Sequence, residues 1–122
     1  YVTKKIIAEY NKYSKRSENK DILLMGMTYK PGISDIRESP SIDIVKSLLK
    51  KTKTNIYIND PYLDDLKISI KNKSARFVDI RTGMKKCSFL VFLVSHKQYE
   101  NLRSISQNKY HVMDECGLFQ NY

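Results

Sequence analysis

The residues with most chemistry to offer fall in one stretch, Gly26-Met27-Thr28-Tyr29-Lys30-Pro31-Gly32-Ile33-Ser34-Asp35-Ile36-Arg37-Glu38-Ser39-Pro40. It carries two cations, Lys30 and Arg37, and an aromatic ring at Tyr29. It closes on Ser39-Pro40, which reads as a helix start with Ser as N-cap and Pro at the first helical position. Charged donors beside a helix N-terminus suit a phosphate or pyrophosphate, because both supply N–H groups to anionic oxygens. The stretch is too long and too rich in side chains to be the Gly-x-Gly-x-x-Gly turn that lets a backbone touch pyrophosphate. The alternative is a solvated loop in which Arg37 pairs with Asp35 or Glu38.

Positioning such a loop takes a strand before it and a helix after it. Ile22-Leu23-Leu24-Met25-Gly26-Met27 is a continuous apolar run, as expected for a strand covered on both faces. After the loop, Ile42, Val45, Leu48 and Leu49 give a helix one apolar stripe, and Asp43 sits in its first turn, where the helix dipole favours a carboxylate. Lys46, Lys50, Lys51 and Lys53 read as its solvated face and exit. Thr54 to Ile58 predicts a second strand, stopped by Asn59-Asp60-Pro61. Ile68 and Ile70 fit either a brief strand or a loop, and the stretch Phe77 to Lys86 is expected to contain a short helix. Ser88 to Val94 is the strongest strand signal, followed by a short helix at Lys97 to Leu102 and a last strand at Tyr110 to Asp114. Strands alternating with helices predict an α/β fold, a three-layer Rossmann-like domain with a mostly parallel sheet. The carboxyl end of its first strand is where such folds open a ligand crevice.

At the amino end, Val2, Ile6, Ile7 and Tyr10 recur at helical spacing, which reads as the tail of a helix begun earlier. With Tyr rather than Met at position 1, a piece of a longer protein is expected. The polar residues 14–20 read as the linker into the folded unit.

Length and charge bound the rest. The 122 residues make one domain, and 22 Lys plus Arg against 13 Asp plus Glu give a net charge of +9, which favours an anionic partner. Cys87 and Cys116 stand in no metal-like spacing, so neither a zinc site nor a disulfide scaffold is indicated, and a reducing, cytoplasmic setting fits. The longest apolar run, Phe89 to Val94, is far short of the roughly 18–20 residues of a membrane helix. His96 follows the strongest strand at a carboxyl end, where it either lines the cleft or, with no recognisable partner, is a structural loop histidine, and His111 shows no companion for a metal site or triad.

The string Gly-Met-Thr-Tyr-Lys-Pro-x-x-x-Asp-Ile-Arg-Glu-Ser-Pro-Ser, followed by Ile58-Asn59-Asp60-Pro61, resembles the C-terminal domain of the UDP-glucose/GDP-mannose dehydrogenase family. Phe89 to His96 is similar to the family's later apolar strand and the His or Asp that often comes after it. The resemblance spans roughly residues 18–119, and Tyr1 to Tyr13 is similar to the end of the helix that joins the family's domains. It implies residues 1–17 as the end of an interdomain helix and linker, and 18–122 as a C-terminal UDP-sugar-binding domain.

By resemblance, the whole enzyme carries out a two-step, NAD-dependent oxidation of a sugar nucleotide's C6 hydroxyl to a carboxylate. NAD is held mainly by an N-terminal domain, and no catalytic residue is expected in this stretch. Tyr29 and Lys30 match the aromatic-Lys pair that contacts the sugar nucleotide, and Arg37 matches the Arg that reaches the cofactor's pyrophosphate. Asp35 would orient the loop, and Asp60 is expected in a structural turn at a helix start. The implied partners are a UDP-sugar, the N-terminal and central domains of the same chain, and a second copy in a homodimer, with neither nucleic acid nor membrane among them.

One departure stands out: the family's last strand commonly ends Asp-Gly-Arg or Asp-Thr-Arg, whereas this chain reads Asp114-Glu115-Cys116-Gly117, with Cys116 in the Arg position. Neither Cys116 nor Cys87 occupies the motif of the family's catalytic thiol, and Cys87 reads as a small buried hydrophobe. Two other classes compete with the family reading. One is a basic nucleic-acid-binding module, suggested by the charge, although the basic residues are scattered. The other is a purely structural Rossmann-like module.

Overall fold

The computed structural model describes residues 2–27, 40–61, 74–105 and 108–119. Helix α1 (Val2–Ser14) leads into β1 (Ile22–Met25), α2 (Pro40–Thr52), β2 (Ile56–Asn59), β3 (Ala75–Phe77), α3 (Ile80–Lys86), β4 (Phe89–Phe92), a 3₁₀ segment (Lys97–Ser104) and β5 (His111–Asp114). The strands form one sheet in the order β3-β2-β1-β4-β5, parallel at every pairing. The chain is therefore an α/β, Rossmann-like domain, as the alternation of elements predicts.

The sheet faces follow from the two-residue period of a strand. Ile22, Leu24, Ile56, Ile58, Phe89 and Val91 point to one side, where Ile6, Tyr10 and Tyr13 of α1 and Ile42, Val45 and Leu48 of α2 cover them. Leu23, Met25, Tyr57, Leu90 and Phe92 point to the other, against Cys87, Tyr99 and Leu118. The three central strands are buried at every residue, which explains their continuous apolar sequences. Lys46, Lys50, Lys51 and Lys53 are exposed, as read.

Three sequence expectations are revised. Residues 75–77 form an edge strand where none was expected, while the short helix expected within Phe77 to Lys86 is α3, Ile80–Lys86. A three-residue Ala-Arg-Phe stretch carries no period of its own, so only its pairing with Ile56–Ile58 makes it a strand. The helix expected at Lys97 to Leu102 is a 3₁₀ segment and extends to Ser104. The polar stretch after α1 is held to the domain: Asn19 Nδ2 donates to Lys86 O at 2.9 Å, and Tyr10 Oη donates to Lys20 O at 2.7 Å. The expected features at Ile68 and Ile70 lie outside the described residues, as does Ser39. Pro40 does open α2, with Asp43 in the first turn.

Candidate functional site

The carboxyl ends of β2, β1 and β4 lie side by side, Asn59 and Phe92 flanking Met25 in register. Just past them the chain turns out of the sheet. Gly26 takes φ +92°, and Val94 fills the space beside it so closely that a Cβ there would stand 2.8 Å from Val94 Cβ, N and O. Gly26 is the residue type this turn requires. Its N–H donates to Asn59 O at 2.8 Å, and Leu93 N–H donates to Met25 O at 2.8 Å, so the three strand ends are tied together.

On this frame sits a buried polar group. The Asp60 carboxylate, on a residue 2% exposed, accepts the Met27 N–H at 2.7 Å, and His96 Nε2 stands 3.6 Å from the same Oδ2. His96 is itself 6% exposed. Its ring meets that of Tyr99 edge-on at 5.6 Å, while the Tyr99 hydroxyl reaches Asn59 Oδ1 at 2.8 Å and Asn59 O at 3.1 Å. Asn59 Nδ2 in turn donates to Val78 O at 2.8 Å. Burial, with the Asp60 charge second, drives the Tyr99 hydroxyl far above its ordinary range, so it serves as a neutral hydrogen-bonding group. The set forms a hydrogen-bonded polar cluster at the carboxyl edge, next to Met27.

Tyr29, Lys30, Asp35 and Arg37 lie outside the described residues. Asp60, expected in a turn at a helix start, is bonded across the strand ends to Met27; the helix start expected after it lies outside the described residues. His96, read as a loop histidine with no recognisable partner, stands beside Asp60 and Tyr99. Asn59, Asp60, His96 and Tyr99 were not linked by sequence reasoning. The available signal was that Asn59-Asp60 and His96 each follow an apolar strand; the missing fact was that β2 and β4 both neighbour β1.

The last strand resolves differently. Asp114 accepts from Leu118 N at 2.9 Å, Phe119 N at 3.0 Å and Cys116 N at 3.3 Å, so its carboxylate anchors the turn that follows β5. Burial alone would raise the Asp114 pKa, but these amides favour the ionised form and hold it below the usual range. Cys116 Sγ points to the same carboxylate at 3.5 Å, and burial raises its thiol to about 11. Cys87 is buried, its thiol raised to about 12, chiefly by desolvation. Neither thiol is poised as a nucleophile. His111, read as lacking a companion, pairs with Glu9 Oε2 at 3.1 Å through Nε2.

No group of three metal-ligating side chains occurs among the described residues, and no described helix is long and apolar enough to cross a membrane. At the turn after β1, the side of Gly26 on which a Cβ would stand is filled by Val94.

Comparison with known proteins bears on this edge directly. The sequence profile of the "UDP-glucose/GDP-mannose dehydrogenase family, UDP binding domain" matches residues 23–121. The chain is 30% identical over 84 residues to a UDP-N-acetyl-D-mannosamine dehydrogenase of Campylobacter jejuni, covering 68% of this chain and 21% of that protein. It is 32% identical over 89 residues to a UDP-glucose 6-dehydrogenase of Rickettsia felis, covering 70% and 19%. The solved structure of a UDP-glucose dehydrogenase from Pyrobaculum islandicum superposes with a TM-score of 0.71 at 17% identity, over 95% of this chain and 26% of that one. The chain thus spans about a fifth to a quarter of the proteins it matches. With a parallel sheet that presents its polar carboxyl edge and a profile match over nearly all of it, the chain belongs to the UDP-glucose/GDP-mannose dehydrogenase family, as its C-terminal, UDP-binding domain.

Proposed function

We propose that this domain supplies the nucleotide-sugar side of the active site in an NAD-dependent 6-dehydrogenase. The whole protein would oxidise the C6 hydroxyl of UDP-glucose, or of a UDP-N-acetylhexosamine, to the uronic acid. The observation that carries the reading is the hold on Met27, the last described residue before Tyr29-Lys30…Arg37 in the sequence: the buried Asp60 accepts its N–H at 2.7 Å. A stretch rich in cations that starts from a rigid anchor suits recognition of a charged diphosphate.

In this reading Tyr29 and Lys30 contact the UDP-sugar, and Arg37 reaches the cofactor's pyrophosphate. Asp60, His96 and Tyr99 serve as positioning residues, through the hold on Met27. NAD supplies hydride acceptance when bound elsewhere in the protein. This domain's share is binding and orientation. The enzyme would work in the cytoplasm as a homodimer, making uronic-acid precursors of surface polysaccharide.

The test monitors NADH formation by the full-length protein with a panel of UDP- and GDP-sugars. A C6 alcohol taken to a carboxylate loses four electrons, so about two NADH per sugar are expected with one member of the panel. No turnover with any of them, in a folded protein, would overturn the enzymatic reading and leave a binding or structural module.

A further inference from the structure

The positive charge of the chain is not spread over the fold. The last turns of α1, α2 and α3 carry Lys12, Lys50, Lys51, Lys85 and Lys86. The connections into β1, β2 and β5 add Lys15, Arg16, Lys20, Lys53 and Lys109. Helices that feed a parallel sheet all end at its amino edge, where the strands all start. These ten cations, scattered along the sequence, are thereby gathered at one end of the molecule. All ten are exposed, and only Glu18 and Asp21 offset them there among the described residues. The edge thus holds a net charge of +8, against +9 for the whole chain, while the other described residues balance at seven of each sign.

The fold itself needs little of this charge. A helix carboxyl end carries about half a negative charge, so three of them account for roughly 1.5 of the excess. At the end of α1 Lys20 already donates to Ser14 O and Ser17 O. Among the described residues, none of the ten stands within ion-pair distance of a carboxylate. Like charges crowded on one edge repel and oppose folding, a penalty that an oppositely charged partner removes.

We infer that this amino edge docks on an anionic lipid surface, a partner the family resemblance does not imply, with the lysine ammoniums meeting lipid phosphates. The cations come from the ends of helices on both faces of a sheet roughly 20 Å across, so they form a patch rather than a line. A patch suits a planar charged surface, which asks only for charge density. Nine of the ten are lysines, point charges without the forked geometry that reads a base edge. Helices cover the sheet, and Tyr13 and Tyr57 at this end are buried, so there is no open strand platform on which bases stack. The proposal uses no residue of the carboxyl edge and stands apart from the nucleotide-sugar reading.

The test is co-sedimentation of the full-length protein with vesicles of phosphatidylcholine alone and of equal phosphatidylcholine and phosphatidylglycerol. At about 0.1 M salt, where charges still act over about 10 Å, binding to the anionic vesicles alone is expected, and about 0.5 M salt should release it. Each basic side chain held at such a surface strengthens binding roughly fivefold, so Lys50→Gln, Lys51→Gln and Lys53→Gln together should weaken it about a hundredfold. The same charge removed at the opposite edge, by Lys4→Gln, Arg81→Gln and Lys97→Gln together, should weaken it less than about threefold. Both triple variants change exposed side chains only, and their folding is checked by the denaturation midpoint. Binding to neither vesicle, equal binding to both, or equal losses in the two triple variants would each overturn the proposal. Tighter binding of duplex DNA through the same three lysines would make a nucleic acid the partner and overturn it as well.

Discussion

The Asp60 carboxylate accepts the main-chain N–H of Met27 at 2.7 Å, across the 33 residues that separate them in sequence. This one bond joins the residue after β2 to the last described residue before the Tyr29-Lys30 stretch. Because both groups are buried, Asp60→Ala leaves an amide without its acceptor in a place water does not reach. A loss of about 1–3 kcal/mol is expected, and Asp60→Asn, which keeps an oxygen, should lose less. Urea midpoints of the two variants would show it, and equal losses would mean that the charge rather than the bond matters.

Gly26→Ala is expected to be worse. The backbone sits at φ +92°, and the new Cβ would meet main-chain as well as side-chain atoms of Val94 at 2.8 Å. Left-handed strain and overpacking together should amount to about 2–4 kcal/mol. A denaturation midpoint close to wild type would show that the Val94 segment moves aside easily.

The opposite sign is expected at Lys53, an exposed residue just past α2 that adopts φ 53°. Helices commonly end with glycine in that conformation, and Lys53→Gly should gain about 0.5–1 kcal/mol, readable as a raised melting temperature.

Acid should weaken the turn after β5. The Asp114 carboxyl is held below its ordinary range by the Phe119, Leu118 and Cys116 amides despite its burial, so the folded state binds its proton less readily than the unfolded chain. Its contribution is complete above the ordinary carboxylate range and is lost as pH falls through the lowered folded value. Comparing wild type with Asp114→Asn by denaturation across acid pH, the gap between them should narrow towards low pH; a constant gap would count against the assignment.

In the full-length enzyme, Lys30→Ala and Arg37→Ala should each lower kcat/KM by roughly 10- to 100-fold, the loss of about 1.5–3 kcal/mol of charge-assisted bonding, without unfolding the protein. Lys30→Ala should act on the UDP-sugar and Arg37→Ala on NAD. Wild-type kinetics in both would remove these residues from the site.

Much of the fold was legible because the signals were local. The continuous apolar runs at Ile22–Met25 and Phe89–Phe92 could only be strands buried on both faces, and Pro40 with Asp43 marked where α2 begins. The edge strand Ala75–Phe77 was not legible, since three residues acquire strand geometry only from the neighbour they pair with. The 3₁₀ geometry of Lys97–Ser104 was missed for a related reason: its helical period matched, while the packing of Tyr99 against Phe92 and His96 set the tighter winding.

The loop chemistry at Tyr29, Lys30 and Arg37 was written in the sequence as residue types in a fixed order after a strand, and the family followed from that order. The polar cluster at the carboxyl edge was not. Asn59, Asp60, His96 and Tyr99 come from two separated segments, and they meet because the sheet order places β2 and β4 on either side of β1. Local sequence determines which elements form and where their charges lie along the chain. Which charges become neighbours is decided by burial of both sheet faces, because covering them with helices selects the one strand order that brings those ends together.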